Sequence, residues 1–202
     1  MNENAGKETW SENVILADAD YIDRVVFDLT VNFERMLGRR IPKANFGRWA
    51  DCVALDAGMR PYDAEPLPVT QIILLHSKER KQLDNFTPAS YTEELDGKAF
   101  SDQLGEFCIS CVPVEHLTTM EDLFCESLQH ICQQSEVKRL MVIGDDCYYD
   151  HIKSTLTSLH VPTTTVFTMQ PLSGGRFQQE MLGYSLMAAM GIRSEEIEKS
   201  IQ

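Results

Sequence analysis

The stretch Val14-Ile-Leu-Ala-Asp-Ala-Asp20 decides how the chain is read. Apolar residues run directly into two aspartates two positions apart, and an amphipathic pattern follows at once. That is the signature of a buried parallel strand delivering carboxylates to the end of a sheet where ligands bind. A second apolar run, Leu140-Met-Val-Ile143, ends the same way in Gly144-Asp145-Asp146. In a parallel sheet both strand ends lie on one edge, so the two acidic pairs are expected to meet there.

Outward from these strands the chain alternates. Ile22 to Leu37 carries apolar residues at Val26, Leu29, Phe33 and Leu37, a helical spacing closed by Gly38. Ile41-Pro42 opens a second helix with Phe46, Trp49, Ala50 and Val53 on one face and Gly58 at its end. Val69–His76 reads as a strand. From Ser77 to Gly105 no period is sustained, and the segment is expected to be a long surface excursion near the ligand-binding edge. Strands follow at Phe107–Val114, Arg139–Ile143 and Thr163–Met169, with helices opening at a Thr118–Glu121 capping box, at Tyr149, at about Phe177 and at Ser194. The expectation is an α/β fold, a three-layer α/β/α domain with a mainly parallel sheet of about five strands, spanning residues 14–202 after a disordered segment 1–13.

The chain has 202 residues, enough for one such domain, and a net charge of −13, which argues against broad, non-specific contact with nucleic acid. Its densest basic cluster is Arg35, Arg39, Arg40, Lys43 and Arg48. No apolar run approaches the ~20 residues of a membrane span. The polar, acidic start lacks the features of a secretion signal, which points to the cytoplasm. The six cysteines lie mostly in apolar segments and read as reduced thiols, and Cys108-Ile-Ser-Cys111 has no second pair to complete a zinc site. Met181, Met187 and Met190 mark an apolar face for the core or for a homodimer.

Carboxylates gathered at one rim repel unless a cation neutralises them, and all-oxygen ligands suit Mg²⁺ or Mn²⁺. Asp18, Asp20, Asp145 and Asp146 are the expected metal ligands; Asp18, Asp20, Asp122 and Asp145 are the expected catalytic set, with Asp150 in reserve. A metal held there could activate a water against a phosphodiester. Taken singly, each acid is also a natural helix cap.

The order of strand-Asp, long helix, strand, helix opening with acids, then strand-Gly-Asp resembles the PIN-like superfamily, its NYN branch in particular. Ile143-Gly-Asp145-Asp146-Cys147-Tyr148 resembles that family's Ser-Gly-Asp-x-Asp-Phe motif, while Asp18 or Asp20 matches its strand-one aspartate and Asp122 its middle-helix acid. The resemblance implies a metal-dependent ribonuclease acting on RNA. Cys147 in place of the second Asp, and Ile143 in place of Ser, imply weakened or absent activity. Asp18-Ala-Asp20, Ser77 and Gly144-Asp145 through Asp150 also resemble haloacid-dehalogenase-like phosphohydrolases, which would make Asp18 a nucleophile, Asp20 the acid/base, and Asp145 with Asp150 metal ligands. A third expectation is an interaction domain that kept the fold without tight metal binding. The whole chain also looks like an uncharacterised bacterial family, which implies no reaction.

Overall fold

The computed structural model describes residues 9–201. Its elements are β1 (Asn13–Asp18), α1 (Ala19–Leu37), β2 (Ala44–Asn45), α2 (Phe46–Asp56), β3 (Val69–His76), β4 (Phe86–Thr87), β5 (Ala99–Asp102), β6 (Gly105–Pro113), α3 (Met120–Cys132), β7 (Arg139–Ile143), α4 (Tyr149–Ser158), β8 (Thr163–Thr168), β9 (Gln178–Met181), α5 (Leu182–Ala189) and α6 (Ser194–Ile201). Seven strands form one sheet in the order β5-β6-β3-β1-β7-β8-β9, and β2 pairs with β4 beside it. Every pair in the large sheet is parallel except β5 with β6.

β1 is buried along its whole length because successive side chains serve opposite faces. Ile15 and Ala17 join the cluster formed with α1, α2 and α5, whereas Val14 and Leu16 join the one beneath α3 and α4. A strand covered on both faces must be apolar throughout. The three-layer arrangement and the mainly parallel sheet follow directly from that pattern.

Several boundaries differ from the sequence reading. The sheet has seven strands, not about five, because β5 and β9 are short polar edge strands whose pairing is fixed by β6 and β8 and not by their own composition. Gln178–Met181, expected to start a helix, is therefore strand, and the helix begins at Leu182. The segment 77–105 is no surface excursion: Leu83, Phe86, Tyr91, Leu95 and Leu104 are all buried in the main core. It passes through β4, a π-helical turn at Tyr91–Leu95 and β5, each too short to print a period. Of the expected disordered start, residues 1–8 lie outside the described residues. The part that follows is fixed: Trp10 packs edge-on against His130, Lys138 and Arg139 donate to the Glu12 carbonyl, and Asn13 opens β1.

After β1 the chain crosses to β3 and β6 on one side, then returns to β7 on the other. The sheet's topological switch point therefore lies between β1 and β7, where α/β folds place their ligands. Ala17 pairs with Ile143 there, which sets Asp18 beside Gly144. A side chain at Gly144 would fall 2.8 Å from the Phe124 ring and 3.2 Å from Ile152. Glycine thus lets α3 and α4 close tightly under the crevice.

Candidate functional site

Two acid–arginine networks stand at the carboxyl end of β1, one on each side. Toward β7, Asp18 caps α1 by accepting the Tyr21 amide at 2.9 Å. Asp145 accepts the Cys147 amide at 3.0 Å and is held by Arg24, whose Nη2 donates to Oδ2 at 2.5 Å. Asp146 accepts the Tyr21 hydroxyl at 3.3 Å. Toward β3, Asp20 accepts both the amide and the hydroxyl of Ser77, while Arg80 Nε stands 4.0 Å away. The same arginine donates to the buried Asp23 at 2.6 Å, and Asp23 also accepts the Asn85 amide at 2.8 Å.

The electrostatics tie these groups together. Burial, reinforced by the neighbouring charges of Asp20 and Asp145, pushes the Asp18 carboxyl up to about 6 against the pull of the Tyr21 amide and Arg24. Burial also acts on Asp145, but the Cys147 amide and Arg24 outweigh it, so that carboxyl lies below its ordinary value. Asp146 is raised, chiefly by burial. Asp18 therefore feels the charges of both Asp20 and Asp145, one from each side of β1.

The other expected residues sit differently. Asp122 is exposed and closes a cap one residue later than expected: Thr119 Oγ1 accepts the Asp122 amide at 3.1 Å and donates to its carboxylate at 2.8 Å. Its neighbour Glu121 is the acid of α3 whose charge reaches Cys147 and Tyr148, and it pairs with His151 at 2.7 Å. Asp150 is turned to solvent, 3.5 Å from Lys153. Cys147 is exposed, and burial of its thiol together with the Asp145 carboxylate pushes it up to about 11, which leaves it a poor nucleophile. His76 is buried and stacked on Tyr91 at 3.9 Å between centroids, a packing role. All six cysteines are free.

The residues that govern the rim most, Arg24 and Arg80, were not singled out from sequence as its partners. The available signal is modest: Arg24 lies one helical turn after Asp20, and Arg80 lies four residues past the end of β3. The basic cluster that composition highlights is partly spent elsewhere, with Arg39 clamped by Glu196 and Arg40 by Glu34.

A divalent cation needs several carboxylate oxygens free to converge on it. Here Asp145 is engaged by a guanidinium, Asp20 by Ser77, and Asp18 by the first turn of α1. Among the described residues no three His, Cys, Asp or Glu side chains are placed to hold an ion together. As arranged, the rim offers no three-ligand seat for a metal: the chain's own donors engage one oxygen of each acid, although Asp20 Oδ1 is buried without a hydrogen-bond partner. No helix among the described residues is long and apolar enough to cross a membrane.

Comparison with known protein families matches residues 7–197, nearly the whole chain, to a family of unknown function, DUF6621. The chain belongs to the DUF6621 family. No curated protein and no solved structure matches it. The rim at β1 and β7 is thus the feature of this DUF6621 chain from which a function has to be argued.

Proposed function

We propose that this chain is a PIN-like domain of the NYN type whose ribonuclease centre is degenerate, so that it does not hydrolyse RNA. The support for a PIN-like origin is the placement of Asp18 and Asp145 on either side of the switch point, in the order that the motifs carry. The observation that argues for degeneracy is the 2.5 Å contact between Arg24 and Asp145. A guanidinium there meets the charge that a Mg²⁺ or Mn²⁺ would otherwise neutralise, and Cys147 supplies no further carboxylate.

The test is incubation of single-stranded RNA with the full chain and Mg²⁺ or Mn²⁺. The expected result is intact RNA, identical for wild type and Asp145→Asn. Metal-dependent cleavage abolished by Asp145→Asn would replace this reading with an active nuclease using Asp18, Asp20 and Asp145. A phosphohydrolase is the second reading, favoured by one contact, the Ser77 hydroxyl on Asp20. It requires turnover of a phosphate monoester and beryllofluoride capture at Asp18. The high pKa of Asp18 and its capping bond both oppose a nucleophilic role.

A further inference from the structure

A second polar feature uses none of the rim carboxylates. The segment joining β8 to β9 contains Ser173-Gly-Gly-Arg176, which enters a strand and not a helix. It is pinned from beneath. The Gln179 side chain accepts the Leu172 amide at 3.0 Å and donates to the Leu172 carbonyl at 2.7 Å and to the Tyr149 hydroxyl at 3.0 Å. That hydroxyl in turn donates to the Gly174 carbonyl at 2.8 Å. Gly174 and Gly175 both have left-handed backbone, φ +84° and +100°, and a side chain at Gly175 would strike the Phe177 ring.

With the Gly174 carbonyl turned inward, the N–H groups of Gly174, Gly175 and Arg176 meet no acceptor among the described residues. Unpaired amides in a turn can donate to an anion. Lys153 brings its ammonium to 3.4 Å from where a Gly174 side chain would begin. Arg176 is exposed and has no carboxylate partner among the described residues, unlike Arg24, Arg39, Arg40 and Arg80. Loop and α4 together border a shallow, open depression of about 500 Å³ whose lining includes Ser154, Ser158 and one acid, Asp150. Asp150 is exposed and its contact with Lys153 is a weak surface pair that a stronger anion displaces.

Arg176 also lines a neighbouring cleft of about 360 Å³ walled by Leu156, His160, Pro162 and Phe177. A cleft of this size is in the range that takes small molecules, and its lining also includes the polar Thr163, Thr164 and Gln178. We propose that Arg176, Lys153 and the amides of Gly174 to Arg176 bind the phosphate of a nucleotide whose nucleoside lies in the adjoining cleft against Phe177 and Pro162. This pocket stands whether or not the rim cleaves RNA; if the chain binds RNA, it seats one of its nucleotides.

Calorimetric titration of the full chain with AMP, adenosine and inorganic phosphate, in the presence of a chelator, tests it. AMP is expected to bind with one-to-one stoichiometry, more tightly than either fragment. Arg176→Gln is expected to weaken AMP roughly tenfold or more. Lys153→Gln weakens it less, Arg40→Gln leaves it unchanged, and circular dichroism shows all three folded. Absence of saturable AMP binding at millimolar concentration, or AMP affinity indifferent to Arg176→Gln, would overturn the assignment. Adenosine binding as tightly as AMP would remove the anion seat, and phosphate binding as tightly as AMP would remove the nucleoside cleft. RNA left intact by wild type while AMP binding fails would leave the Proposed function standing and separate the two.

Discussion

The two acid–arginine networks flanking β1 have similar chemistry and different burial. On the β3 side Asp23 is 2% exposed and Arg80 reaches it, Asp84 and the edge of Asp20 from within the fold. On the β7 side Asp145 is 21% exposed and Arg24, at 58%, lies largely in water across the crevice mouth. An enclosed pair whose lone pairs are met by backbone amides holds structure together, and breaking it strands a charge. A pair at the mouth contributes little to stability but decides what else can approach. The lesson is that residue type placed both networks at the rim, while burial separates the structural one from the one that controls access.

The largest effect is expected on the enclosed side. Asp23→Ala strips the buried acceptor from the Asn85 amide and leaves Arg80 only Asp84 and the edge of Asp20, and should cost about 3 kcal/mol in urea unfolding. A cost under about 1 kcal/mol would erase the distinction between the two sides.

Asp18, at the junction of the two, comes next. Its carboxyl is raised from 3.8 to about 6, so between those values the folded chain keeps a proton that the unfolded chain has released. Its contribution to stability is therefore fully present below the lower value and lost as pH rises through the upper one. At about 1.4 kcal/mol per unit the loss is about 3 kcal/mol by neutral pH. Asp18→Asn keeps a side-chain oxygen for the cap, so it should flatten that slope and exceed wild type in stability above neutrality. An unchanged slope in chemical denaturation followed across this range would show that the shift lies elsewhere.

The smallest effect belongs to the mouth. Arg24→Ala should change stability by no more than about 1 kcal/mol, because the pair is exposed to water on the arginine side. A larger loss would make Arg24 a structural residue like Arg80.

Much of this architecture is legible in the chain. β7 is bounded at Arg139–Ile143 as its apolar run implies, and α1 ends at Leu37 before Gly38. Runs of that kind are visible because burial on one or both faces repeats along the element. β4, β5 and β9 repeat nothing, since two to four residues paired by a neighbour leave no period. At the site, the position of Asp18 and Asp145 at the ends of adjacent parallel strands could be read from strand order, whereas Asp20 turns to Ser77 on the other side of β1. The neutralisation of these acids could not be read. Arg24 and Arg80 reach across 121 and 57 positions of chain to Asp145 and Asp23, a relation that sequence spacing does not encode. Asp122 illustrates the opposite case: its role in the sequence is satisfied locally by Thr119, three residues away.

The most direct test of the claim that the rim is neutralised from within is calorimetric titration of Mn²⁺ into wild type and Arg24→Ala. The account predicts no saturable binding to wild type at millimolar concentration, and measurable binding once Arg24 is removed and Asp145 is released. Saturable binding of Mn²⁺ to the wild-type chain, lost in Asp145→Asn, would contradict it.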